Sequence, residues 1–278
     1  MVRIVVHKFG DVEEIFTGKV LKIMNDCYNR IGAHAVEIVD LYLFDRSSSM
    51  NAFVNGEKRK LGINTSAFEE SFFTVHDAWH GTPRIMVAYD KALDLPDIVR
   101  IGGLCHEVSH TVLHGSLEYY SFPMPICLLE LGSDSIISEQ VMRNLLYLAS
   151  IAVKDFEVTR LLYKKGYVED QVAYNKYFLE PSEEEHEAWK IAEKNKTARL
   201  LVLVSLLKAA CCAGPLLEDE RFCEEIDETI ARSLNFLPSE LSTRVLSILK
   251  AASKFGENTH ENLNLFMKKI IDELISKS

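Results

Sequence analysis

Five consecutive residues, His106-Glu107-Val108-Ser109-His110, carry the densest chemistry in the 278-residue chain. Residues four apart lie about one turn above each other on a helix, so two imidazoles at this spacing reach one ion from the same face. Imidazole nitrogens suit zinc, and two of them with one further protein ligand leave a tetrahedral position open for water. The carboxylate beside the first imidazole then stands next to that water, whose pKa the metal lowers toward ~7, and takes its proton during attack on a carbonyl carbon. The pattern therefore assigns His106 and His110 as Zn2+ ligands and Glu107 as the general base. Its flanks fit a buried helix: from Ile101 to Leu113 the only other titratable group is the Cys105 thiol, and Val108, Val112 and Leu113 are apolar.

Other residues compete for roles. His114 extends the four-residue series, but it stands ~12 Å along the axis from His106, so it joins the same ion only if the helix ends early before Gly115. His76 and His80 precede a strand, and His80 is a candidate for the edge of a cleft. Glu107-x-x-His110 is also one copy of the pattern found in carboxylate-bridged di-iron bundles, and Glu183-x-x-His186 supplies a second. The second copy has a plainer origin: Ser182 caps a helix that starts after Pro181, and Glu185 returns the hydrogen bond, so the acidic run serves the helix dipole.

The elements that must position these groups fall into two kinds. The first residues read as a strand, Asp11 to Ile31 as a helix and Glu37 to Phe44 as a second strand. Asn55-Gly56, between Asn51–Val54 and Lys60–Ile63, predicts a tight hairpin. Ser66 to Trp79 reads as a short helix or irregular, Arg84 to Tyr89 as a strand, and Asp97 to His114 as a helix stopped by Gly115. Beyond Ser116 the periodicity is helical: Asp134 to Lys165, Ser182 to Cys212, Asp219 to Asn235, Pro238 to Phe255 and Asn258 to Ser276. The expected class is α+β, with a sheet and the histidine-bearing helix in residues 1–180 and a mainly helical region in 181–278 packed on that core.

Composition narrows the setting. The 47% hydrophobic and 26% charged residues are those of a globular protein, and a net charge of −10 with no basic block longer than Lys58-Arg59-Lys60 argues against nucleic acid as a partner. The amino-terminal segment lacks an uninterrupted apolar run before a cleavage site, and the apolar stretch Leu200 to Leu217 is interrupted by Lys208 and Gly214-Pro215, so no membrane partner is expected. Six cysteines without a CxxC pair suit a reducing cytoplasm.

Residues of about 80 to 165 resemble the core of a zincin metallopeptidase, in which an edge strand that lines the substrate precedes the HExxH helix. Arg84 to Tyr89 would be that strand, binding an extended peptide or protein substrate by adding it to the sheet. The metzincin continuation is missing, since Leu113 and Ser116 stand where it needs glycine and histidine. The gluzincin branch implies a glutamate on a following helix as third ligand. Glu139 and Glu157 are the candidates there, about 27 Å apart along one helix, with Asp155 and His114 as further alternatives. Glu157 is chosen because Val153 and Leu161 make its face apolar, whereas Glu139 has Arg143 one turn on as a surface partner; an ion pair with Lys154 or Arg160 is the other reading of Glu157. Gluzincins commonly place an acidic residue three or four positions later, where this chain has Arg160 and Leu161. The resemblance also implies a Tyr or His donor to the oxyanion, and Tyr119, Tyr120, Tyr163, Tyr167, Tyr174 and His186 are available. The expected function is zinc-dependent peptide hydrolysis, with the helical region limiting access; the alternative is a zincin-shaped binding module without peptidase activity.

Overall fold

The computed structural model describes residues 2–60, 72–133 and 137–276. In chain order the elements of the first part are β1 (Arg3–Phe9), α1 (Glu14–Ile31), β2 (Ile38–Phe44), α2 (Ser47–Lys60), β3 (Thr74–Asp77), β4 (Arg84–Ala88), α3 (Tyr89–Leu93) and α4 (Asp97–His114), followed by a short 3-10 turn at Leu117–Tyr120. Then come α5 (Ile126–Ser133), α6 (Glu139–Lys164), α7 (Val168–Leu179), α8 (Glu183–Ala192), α9 (Lys196–Ala213), α10 (Cys223–Ser233), α11 (Ser239–Ala252) and α12 (Thr259–Ile270). The class is α+β, as the residue pattern implies.

The chain forms two compact units, one of Met1–Ser121 with Lys164–Asp170, the other of Phe122–Tyr163 with Gln171–Ser278. The change of character after Ser116 marks this division, whereas Pro181, the expected boundary, lies inside the second unit. The 164–170 segment belongs to the first unit through Arg30, which donates to the Gly166 carbonyl at 2.8 Å and lies 4.3 Å above the Tyr167 ring.

In the first unit the sheet order is β1-β2-β4-β3, with β1, β2 and β4 parallel and β3 antiparallel at the edge. Side chains alternate between faces, so Tyr42, Phe44, Met86, Ala88 and Val75 share one face. Met50, Phe53 and Val54 of α2 cover it. The opposite face presents Leu41, Leu43, Ile85, Val87 and His76 on the side of α4, against which α1 packs.

Two expectations are corrected here. Ser47–Lys60 is a helix and not a hairpin arm, because Met50, Phe53 and Val54 at helical spacing fill the sheet face, and this packing outweighs the local turn preference of Asn55-Gly56. Residues 61–63 of the second arm, 66–71 of the adjoining irregular stretch and 134–136 at the expected start of α6 lie outside the described residues. The edge strand beside α4 is β3, whereas β4 is buried along its whole length between β2 and β3, as its unbroken run Ile85-Met86-Val87-Ala88 suits. β3 is held at its end by a cross-strand pair, Arg84 donating from Nε and Nη2 to the two oxygens of Asp77 at 2.9 Å each.

The second unit gathers helices around α9, whose Leu203, Val204, Leu207, Ala210 and Cys211 are buried. The segment Lys196–Glu218 is long and apolar enough to cross a membrane, but 72% of its 18-residue apolar stretch is buried inside the protein, as befits a core helix. The expected continuous helix Ser182 to Cys212 is two helices, because Asn195 caps a new start by accepting from the Ala198 amide. The Ser182/Glu185 capping box forms as expected.

Candidate functional site

Helix α4 starts after Pro96 with Asp97 in its first turn, where a carboxylate complements the helix dipole. From Gly102 to Thr111 every residue is buried. Tyr28 of α1 anchors it, sharing a hydrogen bond of 2.7 Å with the Thr111 hydroxyl. On the other side Gly103 lets the strand end close: a Cβ there would meet the Phe73 ring at 2.7 Å. The helix and β3 thus approach more tightly than any larger residue allows, and His76 of β3 is laid against the HExxH face.

His106 and His110 turn their Nε2 atoms toward each other at 3.1 Å, and each residue is 3% exposed. Two zinc–nitrogen bonds of ~2.0–2.1 Å at a tetrahedral angle separate their nitrogens by about 3.4 Å, so the pair fits one such ion with little adjustment. His110 Nδ1 lies 3.1 Å from His114 Nδ1, which places His114, fully buried, behind the pair as an outer partner to His110. Partners of this kind fix the tautomer of a ligating imidazole.

Glu107 is 7% exposed, and its Oε2 accepts from His76 Nδ1 at 3.0 Å. The other His76 nitrogen, Nε2, meets the Tyr120 hydroxyl at 2.8 Å, and the His76 ring stacks on His110 with centroids 3.9 Å apart. His76, Glu107 and His110 present potential ligand atoms within 4.8 Å of one another. Burial, with the Asp77 and Glu107 carboxylates nearby, pushes the Tyr120 phenol well above its ordinary pKa, so it stays a protonated donor.

The other sequence candidates fall as follows. Glu157 lies in the second unit on α6, buried, with Oε2 accepting from Thr259 at 2.8 Å and Oε1 from Asn262 at 2.6 Å. Arg160 donates instead to the Phe255 and Gly256 carbonyls. Glu139 is exposed and paired with Arg143, the surface role expected of it. Asp155, Tyr163, Tyr174 and His186 belong to the second unit, the last packed edge-on against Phe236. His80 bonds Glu57 at 2.7 Å, and the Tyr119 ring stands edge-on to His114.

His76 is a site residue that helical spacing does not single out. The signal is the alternation Thr74-Val75-His76-Asp77, which puts His76 on the face opposite Val75, but four residues are too short a run for periodicity to mark as a strand. No family model, curated protein or solved structure matches the chain.

Proposed function

We propose that this chain is a zinc metallopeptidase of the zincin type, with His106 and His110 holding the metal and Glu107 acting as general base. The observation that carries the reading is the convergence of the two Nε2 atoms at 3.1 Å with the Glu107 carboxylate buried on the same helix between them. Zinc bound there would supply Lewis acidity toward a substrate carbonyl and bring the pKa of water toward ~7. Glu107 takes the proton of the attacking water and passes it to the leaving amine. Glu157, the third ligand that the gluzincin resemblance implies, is bonded within the second unit by Thr259 and Asn262, so the reading rests on the two imidazoles and Glu107.

Substrate enters beside β3. Among the described residues no strand pairs with its outer edge, so an extended peptide has backbone groups to bond there. A cytoplasmic setting without nucleic acid or membrane partners is what the composition favours.

Elemental analysis of purified protein tests the metal: His106→Ala and His110→Ala lose zinc, and Glu157→Ala reports on the third ligand. Glu107→Gln keeps zinc and loses about 10²–10⁴-fold in peptide hydrolysis. A zinc-loaded parent that cleaves no peptide moves the chain to the alternative, a binding module on the same fold.

A further inference from the structure

His76 has each of its ring nitrogens committed. Nδ1 faces a carboxylate oxygen, which accepts only, so the ring hydrogen sits on Nδ1 and is donated to Glu107. At the other side the Tyr120 oxygen already accepts the Ala78 backbone amide, and its single hydrogen is directed at His76 Nε2. The three groups form one directed chain, phenol to imidazole to carboxylate, with His76 as the Nδ1–H tautomer.

The chain is built on fixed parts. The ring is flanked on one side by the stacked His110 ring, and the side chains of His76 and Glu107 are 10% and 9% exposed. The strand that carries it is pinned by Arg84 on Asp77 at one end and by the Phe73 carbonyl, which accepts from the Ala88 amide at 2.8 Å, at the other. A carboxylate with one oxygen bound to a fixed donor has lost its rotation about the terminal bond. Its second oxygen is then the one that faces a reactant.

We propose that His76, held by Tyr120, is a positioning residue that binds Glu107 through Oε2 and so presents Oε1 to the proton of the attacking water. The inference rests on the zinc-peptidase reading and deepens it. It also separates two uses of the same ring, because His76 as a ligand would have to turn its nitrogen from Glu107 to the metal.

Three variants test it. Asparagine places an amide nitrogen about where Nδ1 stands, so His76→Asn keeps the donor to Glu107, while His76→Leu removes it and Tyr120→Phe removes the group that holds the ring. The expected outcome is zinc content at the parent level in all three. His76→Leu loses about 10–100-fold in kcat with KM nearly constant, the size usual for outer partners of a metal site, and His76→Asn recovers most of that loss. In metal-free protein, ¹⁵N spectra of the histidines show the Nδ1–H tautomer for His76, and the Nε2–H form gains population in Tyr120→Phe. Zinc lost from both His76 variants makes the residue a ligand and overturns the proposal. So does His76→Asn no better than His76→Leu, or an Nε2–H tautomer in the parent. A parent without hydrolytic activity overturns the functional reading and the role of Oε1 together, and the tautomer then separates that failure from a misplaced hydrogen bond.

Discussion

His106 Nε2 and His110 Nε2 stand 3.1 Å apart on one face of a buried helix, a separation that a single ion can bridge. Binding to the folded state alone raises stability by about 2.7 kcal/mol at one hundred times the dissociation constant. Zinc is therefore expected to raise the melting temperature of the parent and to leave the double variant His106→Ala/His110→Ala unmoved. An equal rise in the double variant places the ion elsewhere.

Arg84 and Asp77 form a second relationship on which β3 depends. Both side chains are nearly inaccessible, at 6% and 2%, and Glu57 adds a third contact to Arg84 at 3.4 Å. Removing one partner of a buried pair leaves an uncompensated charge, at a cost of about 3–5 kcal/mol, whereas replacing both with apolar groups costs far less. Arg84→Met should thus unfold at markedly lower denaturant than the parent, and Arg84→Met/Asp77→Leu should regain much of the loss. A double variant no more stable than Arg84→Met sinks this account.

How much of this could be read from residues alone differs by element. Helix α4 was legible to its ends, because Asp97 and Gly115 mark them and the apolar spacing between is unbroken. The pairing of His106 with His110 follows from helical spacing, a local property. The position of β3 is not local: it depends on Gly103 leaving room for Phe73 and on register with β4, neither of which periodicity encodes. For the same reason Asn55-Gly56 misled, since the sheet face that recruits Met50 and Val54 into a helix is assembled from three separate strands. The surface fate of Glu139 was legible from Arg143 one turn away, while the bonds of Glu157 to Thr259 and Asn262, over a hundred positions on, were not.

Glu57 gives the acid limb of stability a specific contributor. Its carboxylate accepts from Lys60 at 2.9 Å and from His80 at 2.7 Å, and these bonds hold its pKa down from 4.5 to about 2. A group depressed in the folded state binds its proton first when unfolded, so its contribution is complete above 4.5 and is lost as pH falls toward 2. Glu57→Gln should melt below the parent at neutral pH, and the two melting curves should converge on acidification through that window. Parallel curves down to the lowest pH reached would show that Glu57 contributes nothing to it.

Gly103 couples the stability of the sheet edge to the chemistry of the helix. Its missing side chain admits the Phe73 ring, which is 1% exposed, and a Cβ at 2.7 Å from that ring forces one of them to move. Alanine in a helix interior gains up to about 1 kcal/mol over glycine. Overpacking a filled core costs about 1–3 kcal/mol, so the steric term wins. Gly103→Ala is expected to lower the melting temperature slightly and to lower hydrolysis more than the fraction unfolded explains, because displacement of Phe73, the residue that leads into β3, carries His76 away from Glu107. Zinc content should hold, since His106 and His110 stay on an intact helix. A melting temperature above that of the parent, with hydrolysis unchanged, means the ring yields without moving β3, and the close approach is then incidental to the site.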